Sequence, residues 1–327
     1  MKVCIYGAGA IGSWIGHRLA RAGCSVSMVA RGATLDALQL HGLRLHDGKD
    51  TTSQAVASTD TPAELGVQDL VVLAVKAPSL PAVARQIGPL LGPQTIVMTA
   101  MNGVPWWLLQ GFGGALAGTQ LASVDPDGTL AGALPVRHII GCVVHASCSS
   151  DEPGLVRHHF GNRLIVGEPS GKKTDRVQQL AGLLDKAGFE APVSEQIQKD
   201  IWFKLWGNMT VNPVSAMTGA TTDLILQDDL VRSFISSVML EAKDIGERIG
   251  ITIDQQPLDR HAVTLKLGAF KTSMLQDVEA GRAVELDALV AAVRELGMLT
   301  GVATPFTDAL LGLARLHARV HGLYPTA

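Results

Sequence analysis

The sequence predicts an α/β N-terminal domain built as a doubly wound sheet, followed by an all-helical C-terminal domain. Three observations carry this expectation. A short apolar run of strand type, Val3-Cys4-Ile5-Tyr6, leads through Gly7-Ala8-Gly9-Ala10-Ile11-Gly12 into a helical pattern of Trp14, Ile15, Leu19 and Ala20. Strand-like and helical stretches then alternate as far as Pro192. From Glu195 onward the strand signal stops and every segment has helical spacing. At 327 residues the chain is long for one core, so two domains are expected, 1–194 and 195–327.

The first elements are a strand at 3–6, a helix opened by the glycine turn, and a second strand at 25–29. Residues 42–46 and 53–57 read as short edge strands. The run Leu70-Val71-Val72-Leu73-Ala74-Val75 is unbroken and apolar, as in a strand covered on both faces of a parallel sheet. Further strands are expected at 95–99, 141–146 and 163–166. Another is expected at 120–123, where Asp125-Pro126-Asp127-Gly128 signals a turn and an antiparallel extension. Residues 172–187 read as an amphipathic helix ended by Gly188. Beyond the boundary, helices are expected at 197–209, 224–250, 257–267, 283–300 and 305–321, with Asp223 capping the second and Gly250 ending it.

Strand, G-x-G-x-x-G turn and helix together form a dinucleotide-binding fingerprint of Rossmann type. Gly7 permits the tight turn, Gly9 lets backbone approach a pyrophosphate, and Gly12 lets the helix pack on the strand. The N–H groups at the start of the helix, around Ala8, Ala10 and Ile11, would face the phosphates. The second strand ends in Ala30-Arg31. An NAD enzyme usually has a carboxylate there for the ribose hydroxyls, whereas a guanidinium suits a 2′-phosphate. The expected cofactor is therefore NADP, as NADPH.

Composition narrows the partners. The chain is 47% hydrophobic and 17% charged with a net charge of −3. This gives no reason to expect nucleic acid or an acidic membrane as partner. No run reaches the ~18 apolar residues of a spanning helix, and Met1-Lys2 leads straight into the first strand without a signal segment. Cys4, Cys24, Cys142 and Cys148 show neither a C-x-x-C pair nor a zinc spacing with histidine. His138, His145, His158 and His159 are expected to be structural or surface residues. A cytoplasmic protein with no metal site is expected.

Three clusters stand out as chemistry. Lys76 and Asn102-Gly103 each follow a predicted strand, where ligands meet a doubly wound sheet. Lys204, Asn208 and Asn212 recur in steps of four and so share one helix face. Around them lie Trp202, Phe203, Leu205, Trp206, Met209 and Val211, so these polar groups enter a largely buried helix and need partners. The third cluster, Thr272-Ser273-Met274-Leu275-Gln276-Asp277 with Glu285, is weaker by spacing, since Ser and Glu are ordinary capping residues. Glu285 is a candidate carboxylate partner for a buried lysine.

Taken in order, these segments resemble the ketopantoate reductase (2-dehydropantoate 2-reductase) family. The matching residues are Gly7 to Gly12 with Arg31, Val75-Lys76-Ala77, Asn102-Gly103, Lys204-x3-Asn208-x3-Asn212-Pro213, and Ser273-Met274-Leu275-Gln276-Asp277 with Glu285. The resemblance implies NADPH-dependent reduction of a 2-keto acid to a 2-hydroxy acid in a cleft between the two domains. It implies Lys204 as general acid and Glu285 as its positioning partner. Asn208 and Asn212 would bind substrate, Ser273 its carboxylate, and Asn102 both substrate and nicotinamide ribose. Lys76 and Arg31 would lie on the cofactor side. A homodimer is one assembly the sequence allows.

The chain also departs from the pattern. Thr222 stands where a further substrate-side asparagine is common, and the residues after Asn102-Gly103 include the bulky pair Trp106 and Trp107. The tryptophans are expected to pack beneath the Asn102 loop. If either instead reaches the substrate, a bulkier keto acid is favoured. Ketopantoate is thus the leading substrate, with another branched or aromatic 2-keto acid as the alternative. A non-catalytic NADP(H)-binding sensor and an opine- or 6-phosphogluconate-type dehydrogenase are the other readings. Retention of Lys204 and Glu285 argues against a sensor, and the Ser-Met-Leu-Gln-Asp segment against the dehydrogenase.

Overall fold

A computed structural model describes residues 1–326. The chain forms two compact units, one of Met1–Met101 and Thr129–Asp200, the other of Asn102–Gly128 and Ile201–Ala327.

The first unit is a single nine-stranded sheet with flanking helices. In chain order it comprises β1 (Lys2–Tyr6), α1 (Ala10–Arg21), β2 (Ser25–Val29), α2 (Gly32–His41), β3 (Leu43–His46), β4 (Thr51–Gln54) and β5 (Ala57–Thr59). There follow β6 (Leu70–Leu73), α3 (Leu80–Gln86), β7 (Ile96–Thr99), α4 (Thr129–Ala133), β8 (Ile139–Glu152), β9 (Leu155–Gly167) and α5 (Asp175–Lys186). The strand order is β4-β3-β9-β8-β7-β6-β1-β2-β5. Pairing is parallel from β5 through β2, β1, β6 and β7 to β8. All of β6 and β7 is buried, and for β6 the unbroken apolar run predicts it. The chain builds β2 on one side of β1 and returns to β6 on the other. The carboxyl ends of β1 and β6 therefore flank a topological switch point, the usual ligand crevice of such sheets.

The expected strands at 141–146 and 163–166 are the inner parts of one long antiparallel hairpin, β8–β9. Its outer half alternates weakly and carries bulges near Ser147 and Glu152, so period-2 reading misses it. Its far end pairs β3 with β9, which joins the β3–β4 edge to the main sheet.

The second unit holds most of α6 (Ile197–Thr218), then α7 (Thr222–Gln227), α8 (Asp229–Arg248), α9 (Pro257–Leu265) and α10 (Ser273–Glu279). A π-helical segment, Asp287–Ala291, leads into α11 (Ala292–Thr300), and α12 (Pro305–Val320) follows. Three expectations are corrected here. The helix expected at 197–209 continues through Pro213 to Thr218. The helix expected at 224–250 is two, because Asp228 rather than Asp223 makes the cap, accepting from the Val231 N–H at 2.9 Å. Asp223 lies inside α7 and accepts from the Thr221 hydroxyl.

The third correction concerns 102–128, expected in the first domain with a strand at 120–123. It packs instead with the second unit, and 120–123 is not a strand. Val104, Leu108, Leu109 and Leu121 share a core with Trp202, Trp206, Leu289 and Val293. The Ala122 and Ser123 N–H groups, which a strand would give to a ladder, donate to the two carboxylate oxygens of Glu295 on α11 at 2.7 and 2.8 Å. Trp106 and Trp107 are both buried.

Candidate active site

In the first unit, the glycine turn has the shape the fingerprint requires. Gly7 follows β1 at φ +109°, and a Cβ there would lie 2.7 Å from the Ala74 carbonyl oxygen. A Cβ on Gly12 would stand 2.1 Å from the Gly7 carbonyl oxygen. These two glycines hold β1, α1 and the end of β6 in close contact. Gly9 is the opposite case: a Cβ there would meet nothing within 4 Å. The space above Gly9 opens directly onto the first turn of α1, whose leading N–H groups have no intrahelical partner. This turn fits a dinucleotide pyrophosphate.

Arg31 follows β2, is exposed, and is the N-cap residue of α2. Its guanidinium lies near enough to Tyr6, the last residue of β1, to oppose the upward push of burial on the Tyr6 phenol. Lys76 stands three residues past β6, half-buried, at the entry to a single 3₁₀ turn, Ala77–Ser79. Arg31 and Lys76 thus stand beyond the ends of β2 and β6, the strands that flank β1, and both lie on the ligand side of the sheet.

In the second unit, Lys204, Asn208 and Asn212 share one face of α6. The helix is held from behind. The Trp202 and Trp206 indole N–H groups donate to the Ala242 and Met239 carbonyls of α8 at 3.1 and 2.6 Å. At 100° per residue these tryptophans point away from Lys204, so their anchoring fixes the direction of the polar face. Lys204 and Asn208 are half-buried and Asn212 is buried. Lys204 Nζ donates to Asn102 Oδ1 at 2.8 Å, joining residues 102 positions apart. Among the described residues, neither the Asn208 nor the Asn212 amide has a side-chain hydrogen bond. A buried amide in that condition is available to a ligand.

The Asn102 loop is itself pinned. Gly103 adopts φ +85°, and a Cβ there would lie 2.7 Å from both Cβ and O of Ala288. Val104 N–H donates to the Ala288 carbonyl at 2.8 Å. Ala288 belongs to the π-helical segment, an arrangement frequent at functional sites. Glu285 lies half-buried three residues before it, on the approach to that segment. The C-terminal tail holds this approach on both sides of Glu285. Leu323 carbonyl accepts from the Val284 N–H at 3.1 Å, and the Tyr324 hydroxyl donates to Asp287 Oδ1 at 2.5 Å. Asp277 is buried and paired with Arg282 at 3.0 Å, a structural role that steadies the same loop.

Ser273 is exposed at the first position of α10. Thr272, not Ser273, caps that helix, accepting from the Leu275 N–H at 3.2 Å. Thr222 is buried. Its hydroxyl donates to the Gly268 carbonyl at 2.7 Å, and its N–H donates to the Phe270 carbonyl at 3.0 Å. It therefore fastens α7 to the loop before α10 and spends its one donor there. Sequence reasoning missed the π-helical segment and the tail contacts. The tail had a visible signal, a tyrosine beyond the last helix, but nothing local said which carboxylate it meets.

The residues match the ketopantoate reductase PanE/ApbA family over 3–171 and the C-terminal domain of the same family over 196–318. The chain is 47% identical to the 2-dehydropantoate 2-reductase of Mesorhizobium japonicum, covering 99% of this chain and all of that protein. It is 54% identical to a Ralstonia solanacearum protein whose crystal structure is described as that of a candidate ketopantoate reductase, with a TM-score of 0.95 and 99% of each chain covered. It is 26% identical to the 2-dehydropantoate 2-reductase of Geobacter metallireducens, with a TM-score of 0.85 over 97% of this chain and 99% of that one.

Proposed function

Because the chain belongs to the ketopantoate reductase family, an oxidoreductase family that uses NAD(P)H, we propose that it reduces 2-dehydropantoate to pantoate with NADPH. The observation that carries this reading is the Lys204–Asn102 hydrogen bond, set on a helix face whose two asparagine amides have no side-chain hydrogen bond among the described residues.

Reduced nicotinamide, when bound, supplies a hydride to the keto carbon. Negative charge then grows on the carbonyl oxygen, and Lys204 stabilises it and delivers the proton. Asn102 accepts from Lys204 and so aims Nζ. Glu285 positions the lysine and favours its charged form. Asn208 and Asn212 hold the polar groups of the substrate, and Ser273 meets its carboxylate. Gly7, Ala8, Gly9, Ala10, Ile11 and Gly12 receive the pyrophosphate. Lys76 binds on the cofactor side, Asn102 also reaches the nicotinamide ribose, and Arg31 takes the 2′-phosphate.

Loss of NADPH absorbance with ketopantoate as substrate tests the activity, and steady consumption excludes a non-catalytic sensor. NADPH is expected to bind at least about tenfold tighter than NADH, roughly 1.4 kcal/mol from one charge-assisted pair, and Arg31→Ala to erase the preference. Equal affinities in the wild type would refute NADP as the cofactor.

A second reading, reduction of another branched or aromatic 2-keto acid, is favoured by Thr222. Its hydroxyl is already committed to Gly268, so the position offers substrate no amide. The buried Trp106 and Trp107 lend it no support. A panel of keto acids decides between the two readings, and a low-micromolar Michaelis constant for ketopantoate settles it for the first.

No helix among the described residues is long and apolar enough to cross a membrane, and a cytoplasmic location belongs to the same proposal. So does a homodimer. Phe306, Leu313, Leu316 and Val320 form an exposed apolar stripe along α12, suited to a second copy of the chain. Light scattering that returned a monomer would remove this part.

A further inference from the structure

Gly207 sits inside α6 among bulky residues, where a glycine costs about 1 kcal/mol relative to alanine. The reason for it is Arg260 on α9. A Cβ on Gly207 would lie 2.8 Å from both Nε and Nη2 of that guanidinium. On the other side, Arg260 Cζ lies 5.8 Å from the centroid of the Phe203 ring, within cation–π range. Phe203 and Gly207 are one turn apart, so the guanidinium lies along the helix surface. Gly207 is three residues after Lys204 and Phe203 one residue before it, so at 100° per residue this cation borders the Lys-Asn-Asn face on its Lys204 side.

The guanidinium is poorly satisfied. Arg260 Nε is shut off from solvent without a hydrogen-bond partner. Among the described residues its only side-chain hydrogen bond is a long one, from Nη1 to the Thr264 hydroxyl at 3.5 Å. Among the described residues no carboxylate pairs with it. Burial weighs against its charged form and no neighbouring anion offsets that. A half-buried arginine with a planar fork and no acid is built to receive an anion.

We propose that Arg260 is a specificity-determining residue that holds the carboxylate of the keto acid on the Lys204–Asn208–Asn212 face, its guanidinium seated there by Gly207 and Phe203. The proposal rests on the keto-acid reductase reading above. It adds a full positive charge to carboxylate recognition, which the Ser273 hydroxyl cannot supply. Lys204 addresses the carbonyl oxygen and the two asparagines are neutral, so the substrate's obligate negative charge is matched by Arg260.

The test compares wild type with Arg260→Met, Arg260→Lys and Gly207→Ala. Arg260→Met is expected to raise the Michaelis constant for ketopantoate at least tenfold, to lower kcat less than threefold, and to leave NADPH affinity unchanged. Arg260→Lys should recover part of the loss. Gly207→Ala, which displaces the guanidinium, should reproduce it. Calorimetric titration with pantoate reads the same contact without turnover and should weaken in parallel. Unchanged Michaelis constant and pantoate affinity in a folded Arg260→Met would overturn the proposal. So would a loss confined to NADPH affinity, which would assign the guanidinium to a cofactor phosphate. Equal losses in the Met and Lys variants with lowered melting temperature would leave only a packing role, and would overturn it too. If wild type turns over no keto acid, the reductase reading fails, and the pantoate titration still decides Arg260.

Discussion

The two units place functional groups by opposite means. In the first, the glycine turn is contiguous: Gly7 to Gly12 form one strand-to-helix corner, and the constraints on Gly7 and Gly12 come from atoms of the same corner or of Ala74 and Val75 just past β6. In the second, the polar site is assembled from α6, the Asn102 loop, the π-helical approach around Glu285 and the tail at Leu323 and Tyr324. The first kind of site is a local backbone shape and the second is a set of long-range bonds. A change in the first should therefore act through folding and cofactor binding together, while a change in the second should separate chemistry from folding.

The largest effect is expected at the corner itself. Gly12→Ala puts a methyl group 2.1 Å from a backbone oxygen, which no side-chain movement relieves. A destabilisation above about 3 kcal/mol with loss of NADPH binding is expected, measured by urea denaturation and fluorescence titration. Near-wild-type values for both would show that the corner can relax and would weaken the contrast between the units.

Next comes Lys204→Ala in the second unit. Turnover is expected to fall by about 10²–10⁴ while the urea midpoint and NADPH affinity hold. A variant with normal turnover would show that the Lys-Asn-Asn face is structural.

The first unit also carries a pH liability. His17 on α1 is wholly buried, its Nε2 lies 3.1 Å from the Thr52 hydroxyl, and its Nδ1 has no partner. Burial pushes its pKa down from 6.5 to about 4. The native ring stays neutral in that interval while the unfolded chain takes up a proton. Stability from this group is therefore complete above pH 6.5 and lost as pH falls from 6.5 toward 4, by up to roughly 3 kcal/mol. Urea midpoints at pH 7 and 4.5 should diverge more in wild type than in His17→Gln. An identical pH dependence in the two proteins would remove His17 as the cause.

The smallest expected effect sharpens the assembled site. Tyr324→Phe removes the bond to Asp287, two residues after Glu285, at a cost of about 1 kcal/mol. Burial and the adjacent Asp287 carboxylate push the Tyr324 phenol up to about 12, so the donor is intact across the working pH range. The variant should lose several-fold in kcat with little change in fold. The same loss in a variant truncated after Gly322 would localise the effect to the tail.

Most of the first unit was legible because its signals are local. Unbroken apolar strands, a glycine turn and Arg31 after β2 need only near neighbours to be interpreted. The helix face of Lys204, Asn208 and Asn212 was legible for the same reason, since 3.6-residue periodicity is a property of one segment. The exceptions mark where distant partners intervene. Residues 120–123 have strand composition, but Glu295, more than 170 positions away, takes their N–H groups. Thr222 reads as a substrate-side position, but its hydroxyl is taken by Gly268.

By itself, then, the sequence determined the fold class, the glycine turn, the family resemblance and the residue types of the candidate site. Tertiary structure alone decided that 102–128 joins the helical unit, that Asn102 meets Lys204, that the tail brackets Glu285, and that Gly207 makes room for Arg260. The physical reason is range. Backbone sterics and hydrophobic period act over a few residues, whereas a buried donor is satisfied by whichever acceptor the packed core brings within hydrogen-bonding distance.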